Sequence, residues 1–101
     1  MNVDKKNNFE NTEIKGTYIE KNINLKNFYN FTFKGCDFTG SDISGSLFSE
    51  CLIENSNFRL VKIFETQMHD VYFKECKIMG VDFTQISNSF SSYMIGIPNN
   101  I

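Results

Sequence analysis

The sequence lacks most of the residues from which catalytic and metal sites are built. It has one histidine, His69, and its three cysteines show no spacing with it that is typical of zinc ligands. No serine or cysteine lies in a recognisable nucleophile motif, and no glycine-rich phosphate-binding loop is present. We therefore predict no catalytic residue, no metal site and no cofactor, and we expect His69 to be an ordinary solvated side chain.

Long apolar runs and excess positive charge are also missing. Ten Lys and Arg residues face twelve Asp and Glu residues in 101 residues, which gives a formal net charge of −2. No basic patch favours direct contact with nucleic acid, and no apolar stretch is long enough to span a membrane. The first residues lack the apolar core of a signal peptide. We expect one small cytoplasmic domain that does not bind a membrane.

What the sequence does have is a strict period of five. A large apolar residue returns at every fifth position from residue 18 to residue 83, whereas helices repeat at 3.6 residues and strands at 2. A fixed period of this length indicates a repeat architecture rather than an ordinary mixed fold. The residues at these centre positions are Tyr18, Ile23, Phe28, Phe33, Phe38, Ile43, Phe48, Ile53, Phe58, Ile63, Met68, Phe73, Ile78 and Phe83.

Small residues occupy the position two before most centres. Residues two apart in an extended segment point to the same face, so the small residue and the centre both point inward. The next step of three residues reverses the face, so the chain must turn a corner there. Glycines fall at these corners and ease the turn. Each five-residue unit is thus one side and one corner of a square coil, and the corner glycines are Gly35, Gly40, Gly45 and Gly80.

Four such sides make a coil of twenty residues, and successive coils stack at roughly 4.8 Å. Residues twenty apart should therefore lie above one another in four inner columns. The first column holds Tyr18, Phe38, Phe58 and Ile78; the second holds Ile23, Ile43, Ile63 and Phe83; the third holds Phe28, Phe48 and Met68; the fourth holds Phe33, Ile53 and Phe73. We predict that these centre residues form the core.

The three cysteines fall at small inward positions of this repeat. Cys36 and Cys76 share a column, but Ser56 lies between them, so they are separated by roughly 10 Å. That distance is too long for a disulfide bond. We predict that Cys36, Cys51 and Cys76 are buried thiols with a packing role.

The five-residue units resemble those of the pentapeptide-repeat family. The best copies are Cys36-Asp37-Phe38-Thr39-Gly40, Ser41-Asp42-Ile43-Ser44-Gly45, Ser56-Asn57-Phe58 and Val81-Asp82-Phe83. The resemblance covers about two thirds of the chain and implies an all-β, right-handed quadrilateral parallel β-helix of about three to four coils.

Within that family, the phenylalanine-rich centres and the stretch at 74–83 are similar to the quinolone-resistance proteins. The resemblance implies a protein that mimics DNA in shape and charge and acts on DNA gyrase or topoisomerase IV. Two features depart from that group, because its members are about twice as long and many carry loops that interrupt the repeats. Here no loop breaks the five-residue register.

The register divides the chain into three parts. Residues 1–15 are polar and out of register and are predicted to be an N-terminal leader or cap, residues 16–87 form the repeats, and residues 88–101 form an apolar tail. The tail could cap the last coil. If it does not, the top of the coil would face water, which favours association. We therefore predict a homodimer with the C-terminal ends facing each other. The residues assigned to this dimer end are Met68, Phe73, Ile78, Phe83, Phe90 and Tyr93.

The outward residues should stack in columns as well. Lys34, Glu54 and Lys74 form one column and Asp42, Lys62 and Asp82 form another, so the sign of the charge alternates. Alternation opposes simple DNA mimicry, which needs continuous negative stripes. The best acidic partner surface consists of Glu50 and Asp70, which share one column, with Glu65 and Glu75 at nearby corners. Several apolar residues also point outward and could form an interaction site: Leu47, Leu52, Leu60, Phe64, Tyr72 and Met79.

Two functions remain open from the sequence. The first is a non-enzymatic binding protein whose partner is a type II topoisomerase, as the resemblance implies. The second is a truncated or minimal structural repeat domain that self-associates and has no effect on gyrase. The two differ in whether the outer surface recognises a second protein.

Overall fold

The computed structural model describes residues 8–10, 13–14, 22–87 and 91–96. In these ranges the chain forms short parallel strands joined by tight corners, and no helix is long and apolar enough to cross a membrane. The strands are β1 (Asn8–Glu10), β2 (Glu13–Ile14), β3 (Asn27–Tyr29), β4 (Thr32–Lys34), β5 (Leu47–Ser49), β6 (Leu52–Glu54), β7 (Asn57–Arg59), β8 (Gln67–His69), β9 (Val71–Lys74), β10 (Lys77–Met79) and β11 (Tyr93–Gly96), with a 3₁₀ turn at Phe83–Gln85 between β10 and β11.

These strands stack into the four faces of a square coil. Face A consists of β1, β3, β5 and β8, and face B of β2, β4, β6, β9 and β11. Face C consists of β7 and β10 together with a bridge from Asp37 to Asn57, and face D is a ladder of bridges through Asn22, Asp42 and Lys62. From residue 22 to residue 79 paired residues are twenty apart in sequence. The predicted parallel β-solenoid is confirmed, with about three turns of the repeat.

The N-terminal strands continue this stack with a different register. Phe9 pairs with Phe28 and Ile14 pairs with Phe33, so the offset is 19 residues rather than 20. One residue fewer in this coil explains why the five-residue pattern cannot be followed through residues 1–15. Two short strands of this predicted leader therefore extend faces A and B at the N-terminal end.

The C-terminal tail also contributes a strand. β11 pairs in parallel with β9, with Met94 beside Tyr72 and Ile95 beside Phe73, at an offset of 22 residues. The repeat register persists as far as the hydrogen bond from the Ser87 N–H to the Thr66 carbonyl, and the tail lies on face B from Ser92, whose carbonyl accepts from the Val71 N–H. The two additional residues explain why the tail carries no five-residue signal.

The predicted inner columns form the core. The centre residues from Ile23 to Phe73 are at most 5% exposed, while Ile78 and Phe83 are partly buried against them. Tyr18 lies outside the described residues. Aromatic rings contact one another within and between coils: Phe28 stacks on Phe48 at 4.9 Å between centroids, and Phe58 meets Phe73 edge-on at 5.1 Å.

One core residue was missed by the sequence analysis. Phe31 occupies a position that is small in most repeats, yet it is fully buried. Its ring lies 5.2 Å from that of Phe28 and 5.4 Å from that of Phe33. The positions above it in the same column are small, Cys51 and Val71, which leaves volume for one large ring.

The corners between residues 25 and 80 each have a residue in the left-handed backbone region. The four glycines predicted at corners have φ between 66° and 72°, as expected. Eight further corners place a side chain in this region, which costs roughly 1–2 kcal/mol per residue without a compensating interaction. These eight residues are Leu25, Asn30, Glu50, Asn55, Leu60, Glu65, Asp70 and Glu75.

The small inward residues do more than fill space. The hydroxyls of Ser46 and Thr66 and the thiol of Cys76 each donate to the carbonyl of the centre residue 23 positions earlier in the chain. These side chains tie each coil to the coil below. Ser41 differs, because its buried hydroxyl has no hydrogen-bond partner among the described residues.

The cysteines behave as predicted, since no disulfide joins them. Cys36 and Cys51 are buried and Cys76 is partly buried. Burial raises the pKa of the Cys51 thiol to about 11 and also raises that of Cys76.

Candidate protein-interaction surface

The four predicted acidic residues lie at three different corners of the coil. Glu50 and Asp70 share the corner between faces A and B, Glu65 lies between faces D and A, and Glu75 lies between faces B and C. All four are exposed or half-buried, and all four have left-handed backbone, with φ between 54° and 58°. They do not form one continuous patch, but three of them border face A.

Face A between these corners carries no carboxylate, lysine or arginine in β3, β5 and β8. One outward column of face A holds Tyr29, Ser49 and His69, and the other holds Asn27, Leu47 and Gln67. Before β3 the chain carries Lys26, which adjoins the Leu25 corner, two coils or roughly 10 Å below Glu65. Glu50, Glu65 and Asp70 therefore border the C-terminal half of face A with no lysine or arginine on the strands between them.

Faces B and D place opposite charges next to each other. On face B, Lys34, Glu54 and Lys74 are in register, and the Lys74 Nζ lies 3.8 Å from the Glu54 Oε2. On face D, Asp42 and Lys62 are bridged neighbours. The first predicted column and the pairing of Asp42 with Lys62 are thus confirmed, while the place of Asp82 beside Lys62 stays a prediction. In the described ranges only Glu54 and Lys74 come within ion-pair distance.

Three aspartates before a centre residue are held by local hydrogen bonds. Asp37 accepts from the Thr39 N–H at 3.0 Å and from the Thr39 hydroxyl at 2.6 Å, and Asp82 holds Thr84 in the same way. Asp42 accepts from the Ser44 N–H. The hydrogen bond from the Thr39 hydroxyl, followed by that from its N–H, lowers the pKa of Asp37. These carboxylates shape the turns, and that role was not predicted.

The C-terminal end of the coil is only partly covered. Of the residues assigned to a dimer end, Met68 and Phe73 are fully buried, Ile78 and Phe83 are partly buried, and Phe90 lies outside the described residues. The ring of Tyr93 stacks on Phe83 with 5.1 Å between centroids. Tyr93 and Ile95, which continue the inward positions of face B, remain 39% and 44% exposed. The tail thus covers one side of the coil end and presents its own apolar residues there.

Exposed apolar side chains lie along the outer surface as well. The predicted outward residues Leu60, Phe64, Tyr72 and Met79 are exposed, while Leu47 and Leu52 are half-buried in the stacked columns. Leu60 and Met79 meet at the edge of face C, where the Leu60 N–H donates to the Met79 carbonyl. Leu25 and Met94 are also exposed and were not predicted.

A groove of about 350 Å³ opens where the tail returns to face B. Its walls come from the start of β9 and from the tail just before and within β11: Asp70, Val71, Tyr72, Ser92, Tyr93 and Met94. The sequence analysis placed Asp70, Tyr72 and Tyr93 in three separate groups. No local signal could unite them, because their proximity depends on the offset of 22 residues between β9 and β11.

His69 lies on face A beside Ser49 and is partly buried. Across the described ranges, no group of three or more His, Cys, Asp and Glu side chains could hold a metal ion.

Comparison with known proteins finds likenesses among solved structures only. No model of a known protein family matches the chain, and no curated protein matches it. Among solved structures, the chain is similar to QnrB1, described as a plasmid-mediated fluoroquinolone resistance protein, with 24% sequence identity and a TM-score of 0.45. The match covers 87% of this chain and 53% of QnrB1, so the chain spans about half the length of that protein. At this identity the likeness concerns the fold alone.

Proposed function

We propose that this protein is a non-enzymatic binding module that recognises a basic surface of another protein through face A. The observation that carries the proposal is the arrangement of charge. Glu50, Glu65 and Asp70 border the C-terminal half of face A, and no lysine or arginine lies among the outward residues of β3, β5 and β8. Such a surface attracts a positively charged partner at long range.

The left-handed corners decide where these carboxylates lie. Glu50 and Glu65 stand at corners with φ of 54° and 58°. Every corner from residue 25 to residue 80 has this conformation, and both glutamates are exposed at the corners that border face A.

The resemblance of the repeats to the quinolone-resistance proteins gives the class of partner. We propose a type II topoisomerase, DNA gyrase or topoisomerase IV, whose DNA-binding surface is basic, and accordingly place the protein in the cytoplasm. The acidic corners would take the place of phosphate groups there. On faces B and D acidic residues neighbour basic ones, so the mimicry would be restricted to face A.

A supercoiling assay with purified gyrase tests this function. We expect the protein to inhibit supercoiling, or to protect gyrase from a quinolone, at micromolar concentration. Replacing Glu50, Glu65 and Asp70 together by glutamine or asparagine should abolish the effect, while a matched triple variant of Glu54, Asp42 and Asp82 should retain it. Equal activity of both triple variants would contradict the role of face A.

A second function is favoured by the coil end. Tyr93, Ile95, Ile78 and Phe83 place apolar surface at one end of the rod, and a two-fold axis there would bury the same surface on two chains. We propose an end-to-end homodimer on this ground. If gyrase shows neither inhibition nor protection at high protein concentration, self-association would be the main property of a minimal structural repeat domain.

A further inference from the structure

We infer that the groove between β9 and the tail is a binding site for an arginine side chain of a protein partner. This inference rests on the proposed binding role of the acidic corner between faces A and B. It identifies the chemical group of the partner that binds at this corner. The groove joins that corner to an apolar wall, because Asp70 lines it together with Tyr72, Tyr93 and Met94.

The shape of the groove depends on the position of the Tyr72 ring. A Cβ atom on Gly96 would lie 2.6 Å from the Tyr72 hydroxyl and 3.0 Å from its Cε1, so the ring lies directly against the backbone of Gly96. The other residues that line the groove come before Tyr72 or before Gly96 in the chain. The groove therefore lies on the side of the Tyr72 ring that faces away from Gly96. Glycine at position 96 therefore keeps this space open.

The carboxylate of Asp70 is fixed at the polar end of the groove. The Ser92 hydroxyl accepts from the Asp70 N–H at 2.8 Å and donates to Asp70 Oδ1 at 3.3 Å. Within the described residues, Asp70 forms no ion pair, and Glu50 lies one coil below it with no ion pair either. Two acidic side chains at a spacing of roughly 4.8 Å thus stand at this corner without a counter-ion among the described residues.

The walls select arginine among cations. Tyr72 and Met94 are paired neighbours on the outer side of face B and are 37% and 64% exposed, so both side chains can contact a ligand. A guanidinium is planar and weakly hydrated, stacks on aromatic rings and pairs with a carboxylate. A lysine ammonium is strongly hydrated and gains less from an apolar wall. The combination of carboxylate, aromatic ring and thioether therefore suits an arginine side chain.

Titration with capped amino acids tests the site without any topoisomerase. The probes are Nα-acetyl-arginine methylamide, the corresponding lysine compound and the uncharged citrulline compound, each added to the protein labelled for NMR. We expect arginine to shift the signals of the Met94 methyl and the Tyr72 ring with roughly millimolar affinity. Lysine should bind less tightly, and citrulline should bind at least about fivefold less tightly.

Variants locate the binding. Asp70→Asn should weaken arginine binding about fivefold, Gly96→Ala should displace the Tyr72 ring and weaken it as well, and Glu65→Gln should leave it unchanged. Equal binding of citrulline, equal effects of Asp70→Asn and Glu65→Gln, or shifts that appear with protein concentration alone would overturn the inference. The last result would indicate that a second copy of the chain occupies the groove. Arginine binding together with inactivity against gyrase would retain the site and reject the proposed topoisomerase partner.

Discussion

At the scale of single residues, the position two before each centre decides how well the coils are joined. Ser46 donates to the Ile23 carbonyl at 3.0 Å and accepts from the Lys26 N–H at 3.0 Å. Ser41 occupies the equivalent position on the preceding face, yet its hydroxyl has no partner among the described residues. Two buried serines at equivalent repeat positions thus differ in hydrogen bonding.

This difference predicts different outcomes for the same substitution. Ser46→Ala should lower the free energy of unfolding by about 1–2 kcal/mol, because two hydrogen bonds are lost and a backbone N–H loses its partner. Ser41→Ala should change it by less than about 0.5 kcal/mol, since no hydrogen bond is lost. Urea unfolding followed by circular dichroism measures both. A similar loss of unfolding free energy in the two variants would contradict the claim that only the Ser46 hydroxyl is hydrogen-bonded.

The buried thiol of Cys51 predicts a dependence of stability on pH. Burial raises its pKa from 9.0 to about 11, so the unfolded chain ionises at this residue before the folded protein does. Its contribution is complete below pH 9 and is lost as the pH rises through 11. Over this window the free energy of unfolding should fall by up to about 1.4 kcal/mol per pH unit because of Cys51.

Comparison with Cys51→Ser isolates this effect from other groups that titrate at high pH. Serine already occupies the equivalent repeat position at Ser46 and Ser56, and its hydroxyl does not ionise in this pH range. The difference in unfolding free energy between the two proteins should therefore change steadily between about pH 8 and pH 11 as the wild type loses the contribution of its thiol. A difference in unfolding free energy that stays constant with pH would show that the Cys51 thiol has the same pKa in the folded and the unfolded protein.

At the scale of structural elements, the sequence predicted the sides of the coil and missed much of its corners and ends. The centre residues from Ile23 to Phe73 and the corner glycines follow directly from the five-residue period. The period says nothing of the backbone at Glu50 or Leu60, because glutamate and leucine carry no signal for left-handed φ. Nor could it predict β11, because β11 pairs with β9 at an offset of 22 residues instead of 20.

The tail strand gives a prediction at this scale. β11 is joined to the last coil by its ladder with β9 and by the hydrogen bonds of Ser92 to Asp70. Ser92→Ala should lower the protection of the amides of residues 93–96 against hydrogen exchange about tenfold, while the free energy of global unfolding changes little, because the buried core lies within the repeats.

Ser49→Ala is the matched control, since Ser49 points outward on face A and its side chain makes no hydrogen bond to a described residue. Its effect on the same amides should be negligible. Loss of protection throughout the repeats in Ser92→Ala would indicate that the tail and the coils unfold together, and would contradict a tail that opens independently.

At the scale of the whole molecule, the candidate surface could be predicted only in part. The sequence identified Glu50, Glu65, Asp70 and Glu75 as the acidic residues, and their corner positions follow from the register. It could not show that face A between them is uncharged from edge to edge, or that the tail brings Tyr93 and Met94 to Asp70. Those features depend on which faces adjoin each corner and on where the tail returns.

The same reasoning applies to the coil end. The sequence treated the tail as either a cap or the cause of an open end. In the structure β11 pairs with β9, where Phe73 is fully buried, while Ile95 becomes the new exposed residue of the inner column. Fully burying one side chain of this kind contributes about 1.5–3 kcal/mol, so the end surface of Tyr93, Ile95, Ile78 and Phe83 favours association.

The mass of the protein in solution tests this central claim most directly. Sedimentation equilibrium at micromolar concentration should give twice the chain mass of 11.7 kDa. Ile95→Asp should reduce it to the mass of one chain with an unchanged circular dichroism spectrum, while Leu25→Asp, at an exposed corner near the N-terminal end of the repeats, should leave the dimer intact. A wild-type mass of 11.7 kDa under these conditions would contradict the end-to-end dimer.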